Sequence, residues 1–484
     1  MKNFTTEFFL KTALLLLLIS YTNGYAQPKQ SNDTLLAGNW GGKLKIGAQE
    51  LTIYIKIKVA DEGYYKAFLD SPDQGAKDIP LDTVILSGKN LRTASKMIGG
   101  EFEGTVDFDS LIIKGVWKQG GMNLPLTVNK TMESIEPKRP QTPKPPFPYK
   151  DEEVTIENKT DNIKLAGALT LPASDGTCPA VVLITGSGAQ DRDETLFGHK
   201  PFGVIADYLT RNGIAVLRMD DRGVGKSGGN FAKATTFDFA NDILAAVDFL
   251  KTRKEINKKQ IGLIGHSEGG IIAPLAASKS ADVAYIVMLA GPGVKGEDII
   301  LLQSELISRA MKAPEDLIQK NTLLMKSVFG VISEDADSAS TFNRLNAIVK
   351  EFMEGLSDEE KTNPVFNQEA MQKQLTQLNS PWFKLFLKYD PAGALEKVKC
   401  PALALNGGKD LQVSAKQNLP PIKEALTKGG NTKFEIIELP GLNHLFQHAA
   451  TGSLAEYPKI EETISPEVLK IIGDWIHKTV KTLN

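Results

Sequence analysis

The sequence predicts an α/β protein: a doubly wound, mostly parallel sheet interrupted by a helical insertion and preceded by a small all-β domain. Three observations carry that reading. Leu51, Ile53, Ile55, Ile57 and Val59 alternate with Thr52, Tyr54, Lys56 and Lys58, the pattern of a half-buried strand. Residues 132–150, MESIEPKRPQTPKPPFPYK, hold six prolines and read as an extended, semi-rigid linker. Beyond it the rhythm becomes strand, glycine-rich turn, helix, and that alternation implies parallel strands with helices on both faces.

Within the first domain, residues 33–131, short runs of strand length follow one another: 64–69, 83–86, 101–106, 111–117 and 125–128. Asp61-Glu62-Gly63, Ser71-Pro72-Asp73 and Gly120-Gly121 supply the turns, so a small barrel or sandwich is expected. In the second domain, residues 151–484, the runs 180–185, 215–219, 261–264, 284–289, 402–405 and 434–439 are β-branched and do not alternate. Strands buried on both faces look like that. Ala240, Ile243, Leu244, Val247 and Leu250 mark one helical face between them. Residues from about 295 to 400 are rich in Leu, Met, Gln, Glu and Lys and read as several helices with no strand, a lid candidate.

Composition excludes several classes. The 484 residues are 42% hydrophobic and 24% charged, ordinary for a globular chain of two or three domains. Lys+Arg (56) nearly balances Asp+Glu (58), so neither nucleic acid nor an anionic membrane surface is an expected partner. At the amino end, Lys2 and Lys11 precede the apolar run Ala13 to Ile19, and Gly24-Tyr25-Ala26 places small residues before Gln27. Residues 1–26 therefore read as a secretory signal peptide, too short in its apolar run for a stable membrane anchor, and the mature chain is expected to be exported to the periplasm or beyond. If the strands after Cys178 and Cys400 share one parallel sheet in the order that the resemblance named below implies, the two cysteines lie about three strand spacings of ~4.8 Å apart, too far for a disulfide. The five histidines show no HxxxH spacing and no CxxC pair occurs, so no metal or other cofactor is expected.

The sharpest chemical signal is Gly265-His266-Ser267-Glu268-Gly269-Gly270, which follows an apolar strand and opens a small-residue helix. Glycines two residues either side of a serine let the chain reverse sharply, so that the hydroxyl stands above the sheet at a helix amino end. Such a hydroxyl needs a base held by a third group. Asp410, in ALALNGGKD, and His444, in IELPGLNH, both follow strands and arrive at the same sheet edge in the order Ser, Asp, His. The expected triad is Ser267, His444 and Asp410. His448, four residues on, is the alternative base; His199 could line the pocket; His477 sits in the last helix and reads as structural; Asp390 precedes a proline and reads as a cap. His266 lies inside the elbow, and its ring cannot turn back onto the adjacent hydroxyl.

An oxyanion needs backbone donors. The expected pair is the N–H of Glu268, after the nucleophile, and that of Ser187 in the loop TGSGAQDRD, with Gly188 close behind. Neither that loop nor Gly225-Lys226-Ser227 has the glycine register of a nucleotide cradle. The charged run Asp191 to Glu194 either braces the loop or is solvated surface, and residues alone leave both open.

Taken together, TGSGAQDRD, the DDRGVGKSGG loop at 220–229, the GHSEGG elbow and the GGKD and GLNH turns resemble the α/β-hydrolase superfamily from about residue 151 onward. With the all-β first domain they resemble the EstD-type bacterial carboxylesterases, often labelled serine aminopeptidase-like hydrolases. One departure is Ala189, where that family usually has proline. The resemblance implies an eight-stranded sheet ordered 1-2-4-3-5-6-7-8 with a lid after the sixth strand. It also implies hydrolysis of small carboxylic esters with short acyl chains. Peptidase or thioesterase action on the same triad is the alternative. A reading of another class is a ligand-binding protein with a vestigial hydrolase half.

Overall fold

The computed structural model describes residues 35–483, apart from 47–48, 61–63, 75, 132–137, 174–175, 335–336 and 356–376. The expected signal peptide lies outside the described residues.

The first domain is one antiparallel sheet. Its strands are β1 (Gly38–Ile46), β2 (Gln49–Val59), β3 (Tyr65–Ser71), β4 (Ala76–Leu81), β5 (Thr83–Ser87), β6 (Asn90–Ser95), β7 (Gly100–Asp107), β8 (Ile112–Gln119) and β9 (Met122–Thr131). They pair in the order β4-β3-β2-β1-β9-β8-β7-β6-β5. The first and last strands pair in the middle, and the two edges are consecutive strands separated by Asp82 alone. There the sheet rolls on itself, bringing β4 against β6 and β3 against β5. Trp40, Ile55, Phe102 and Ile113 fill the interior, as the alternation of β2 requires.

The second sheet has eight strands: β10 (Lys150–Asn158), β11 (Ile163–Leu171), β12 (Cys178–Ile184), β13 (Ala215–Met219), β14 (Ile256–His266), β15 (Tyr285–Leu289), β16 (Ala402–Gly407) and β17 (Phe434–Leu439). Their order, β10-β11-β13-β12-β14-β15-β16-β17, is 1-2-4-3-5-6-7-8 when β10 is counted first. The sheet is mostly parallel, as expected, but mixed at one edge. β11 runs antiparallel to both β10 and β13, while the pairs from β13 to β17 are parallel. The cause is local. A four-residue connection can only return a strand beside its predecessor in the opposite sense. Asn158 holds that turn by accepting the Asp161 N–H at 3.0 Å, and Asn162 takes φ +53°.

Helices cover both faces. On one side lie α2 (Thr236–Thr252) and α3 (Gly269–Ala277), whose Ile243, Val247, Leu250, Ile272 and Ala276 join the core with the strands. On the other lies α1 (Pro201–Arg211), with Phe202, Ile205 and Leu209 buried. Each such aliphatic side chain stabilises the fold by about 1.5–3 kcal/mol. Between β15 and β16 come α4 (Gly296–Ala310), α5 (Glu315–Ser333), α6 (Ser338–Glu354), α7 (Pro381–Lys388) and α8 (Ala392–Leu395), with no strand among the described residues. Val328, Phe329, Ile332, Leu345 and Leu387 give this insertion its own small core. The chain closes with α9 (Ala415–Lys428) and α10 (Pro466–Lys481) on opposite faces of the sheet. Cys178 and Cys400 are both free.

Candidate active site

The carboxyl ends of β12, β14, β16 and β17 lie along one edge of the sheet, and each is followed by one of the expected functional segments. Ser267 occupies the turn between β14 and α3 with φ +53°, a strained value for a residue with a Cβ. The surrounding chain allows nothing larger than glycine. A Cβ at Gly265 would stand 1.9 Å from the Gly269 carbonyl oxygen, and one at Gly269 would stand 2.2 Å from that of Ile184. Both contacts are with backbone, so neither can yield.

His444 follows β17, and its Nδ1 lies 2.7 Å from Oδ2 of Asp410, which follows β16. Both residues are buried. Asp410 is pinned on its other oxygen by the N–H groups of Gln412 (2.8 Å) and Val413 (2.9 Å). The carboxylate can therefore fix the orientation and tautomer of the imidazole. The Ser267 hydroxyl has no hydrogen-bond partner among the described residues, so the structure joins His444 to Asp410 and leaves that hydroxyl unengaged. Contacts of this kind commonly close only around a substrate.

In the loop after β12, the Gly186 N–H is engaged, donating to Oε1 of Glu194 at 2.7 Å. The N–H groups of Ser187 and Glu268 have no protein acceptor among the described residues. A Cβ on Gly186 would meet the Ser267 Cβ at 3.2 Å, which places this loop directly beside the elbow. The competitors stand elsewhere. His448 is exposed and paired with Glu462 at 3.0 Å. His199 is buried between Thr463 and Tyr457, and burial holds its pKa down at about 4. Asp390 caps a turn by accepting the Ala392 N–H.

The Hydrolase_4 family model, described as serine aminopeptidase, S33, matches residues 200–357. Esterase EstD of Thermotoga maritima is 27% identical over 335 residues, 69% of this chain and 69% of that protein. The chain has the α/β-hydrolase fold. Among solved structures, Est1E of Butyrivibrio proteoclasticus with ferulic acid bound is 18% identical, covering 68% of the hydrolase and 99% of that chain at a TM-score of 0.38. The Pyrococcus furiosus esterase PF2001 is 17% identical, covering 72% and 98% at a TM-score of 0.40.

In the hydrolase the charged run 191–194 braces the loop. Arg192 grips Asp220 through Nε (3.0 Å) and Nη2 (2.9 Å), and that bidentate contact lowers the Asp220 pKa against the upward push of burial. Asp193 pairs with Arg218. Glu194 turns inward and lies 2.9 Å from the His266 ring.

Three groups at the site were given no role of their own by sequence reasoning. Asp221 holds both ends of the Ser187 loop, with Oδ1 2.7 Å from the Thr185 hydroxyl and Oδ2 accepting the Gln190 N–H at 2.9 Å. Burial pushes its pKa up to about 8. Glu194 is the second. Trp382, on lid helix α7, is the third, donating its indole N–H to Oε1 of Glu268 at 2.9 Å while Thr236 donates to the same oxygen at 2.7 Å. Burial raises the Glu268 pKa, and these two donors oppose the rise. Only the run DRDE carried a hint, because apart from Gly186, eight residues before Glu194, the partners lie far away in the chain.

Proposed function

We propose that the protein is an exported serine esterase that cleaves small carboxylic esters, short acyl chains above all, through Ser267, His444 and Asp410. The observation that carries the reading is the buried Asp410–His444 contact at 2.7 Å, on the sheet edge where Ser267 stands in its strained turn. His444 Nε2 takes the Ser267 proton as Oγ attacks the acyl carbon. The Ser187 and Glu268 N–H groups receive the oxyanion. Collapse of the tetrahedral adduct expels the alcohol, which leaves with the proton from His444. Water, deprotonated by His444, then attacks the acyl-enzyme and frees the acid and Ser267. Asp410 keeps Nδ1 protonated throughout and stabilises the imidazolium.

An ester fits better than a peptide with a free amino end. Such a peptide needs a carboxylate to receive its ammonium group, and Glu268, the acid that follows Ser267 in the chain, is 3% exposed and already shared by Thr236 and Trp382. Relation to a protein named an esterase points the same way. Export rests on the leader-like residues 1–26.

The test is hydrolysis of p-nitrophenyl esters from acetyl to dodecanoyl, and of aminoacyl p-nitroanilides, by the chain from Gln27 and by Ser267→Ala. Ester turnover should favour the short chains and fall by at least about 10^4-fold in the variant. Turnover of the anilides alone would replace the esterase by a peptidase.

A further inference from the structure

Both nitrogens of His266, the residue before the nucleophile, face hydrogen-bond acceptors. Nδ1 lies 2.9 Å from Oε1 of Glu194, and Nε2 lies 3.0 Å from the main-chain oxygen of His444. A neutral imidazole has one N–H and one lone pair, so it satisfies one such partner and turns its lone pair on the other. A ring protonated at both nitrogens satisfies both.

Burial alone would strip that charge, since the residue is only 6% exposed. Glu194 supplies the compensation. It is buried too, its Oε2 has no donor, and the imidazolium is its one charged partner among the described residues. Asp410 adds its negative field from the other side, and the His444 ring lies with its centroid 4.7 Å away. Burial pulls the His266 pKa down, but Glu194, the His444 carbonyl and Asp410 together outweigh it and the net direction is up. His199 is the contrast. It is buried too but faces the Thr463 hydroxyl, which can donate to a bare nitrogen, and burial lowers its pKa.

We propose that Glu194 and His266 form a buried carboxylate–imidazolium clamp that positions the three catalytic segments, and that loss of its proton at alkaline pH releases them. Glu194 also accepts the Gly186 N–H, one residue before Ser187. His266 is one residue before Ser267, and its Nε2–H holds the backbone of His444 itself. Two side chains thus tie the oxyanion loop, the nucleophile elbow and the base loop together. When the proton leaves, a lone pair faces an oxygen at about 3 Å and that contact must open. The sign follows from the raised pKa: the clamp is whole at acidic and neutral pH and fails as pH rises through the folded-state value. Glu194 and His266 are positioning residues, and the inference rests on the roles given above to Ser187, Ser267 and His444.

Histidine labelled with 15N reads the ring directly, and the chain contains five histidines. The His266 signal is assigned by its absence from His266→Gln. In the wild-type chain at pH 7 both ring nitrogens should carry protons, and they should lose one above the ordinary histidine range. Glu194→Gln should leave the ring with one bare nitrogen at pH 7. It should also lower kcat/KM for ester by on the order of tenfold through misplacement of the loop, and abolish the alkaline fall that the wild type shows. A bare nitrogen on wild-type His266 at pH 7 overturns the clamp, as does a Glu194→Gln variant with unchanged ring signals and alkaline limb. The wild-type titration decides even where the variant does not fold. Because it needs no turnover, an inactive protein with a doubly protonated His266 refutes the esterase and keeps the clamp, whereas an active one with a neutral ring does the reverse.

Discussion

Thr185 and Gln190 bracket the loop after β12, and both lean on the single carboxyl of Asp221. With its pKa up at about 8, against an ordinary value near 4, that carboxyl is protonated in the folded protein at neutral pH. It can then give its O–H to Thr185 while accepting from Gln190. Between those two values the folded chain holds a proton that the unfolded chain releases, so this group makes stability fall as pH rises. Asp221→Asn keeps a donor and an acceptor in place and removes the slope. Its melting temperature should match the wild type near pH 4 and exceed it at pH 8 by roughly 3 °C or more; an equal offset at both pH values would mean that Asp221 is ionised when folded. At this scale, legibility follows sequence distance. Ser267, Asp410 and His444 announce themselves because each sits in a glycine-marked turn directly after a strand. Asp221 and Glu194 act on partners 31 to 36 and 72 residues away, and nothing local distinguishes them from solvated acids.

Lid helix α7 begins at Ser380, whose hydroxyl accepts the Phe383 N–H, with Pro381 at the first helical position. That start aims Trp382 at the elbow, stacked on Phe386 at 5.1 Å and bonded to Glu268. Trp382→Phe preserves the aromatic stack and withdraws one of the two donors from a buried carboxyl. A loss of roughly 1–3 kcal/mol is expected. It should be larger at pH 8 than at pH 5, because with one donor fewer the ionised Glu268 is still harder to bury. Thermal melts at the two pH values test this, and an effect independent of pH would show that the indole contributes by packing alone. The lid itself could be read from composition, since the strand rhythm stops there. Several strands could not. β10, KDEEVTIEN, is a charged edge strand, β4, AKDIPL, carries a proline, and β6, NLRTAS, is mainly polar. All three are held by their neighbours in the sheet rather than by an apolar pattern of their own.

Between the two sheets, the proline-rich composition shows a stiff boundary but not where its side chains land. In its described part, Arg139 donates to three main-chain carbonyls distant in the chain, those of Ile460 (2.9 Å), Phe197 (2.8 Å) and Pro458 (2.9 Å), besides that of its neighbour Lys138. Gln141 donates to the Ile464 carbonyl at 2.8 Å and accepts the Thr463 N–H, and Tyr149 donates its hydroxyl to Asp207 at 2.8 Å. The distant carbonyls belong to two loops behind the site. One continues from Glu194, and the other follows the His444 turn. Phe197 and Tyr457 meet edge-on between them at 6.2 Å. Residues 138–149 therefore act as a structural strap of the hydrolase half. Arg139→Ala would leave three carbonyls without their donor, and since a bond to a charged group is worth about 1.5–3 kcal/mol, the loss should exceed that of an ordinary surface substitution. Two shortened chains separate strap from spacer. One starting at residue 138 should melt close to the hydrolase transition of the full chain, whereas one starting at 150 should melt several degrees lower and turn over ester more slowly, because the loops carrying Glu194 and His444 lose a common anchor. Equal melting temperatures would reduce the segment to a tether. A stable but inactive chain from residue 138 would instead make the first domain part of the catalytic unit, closing over a cleft that the hydrolase half cannot shape alone.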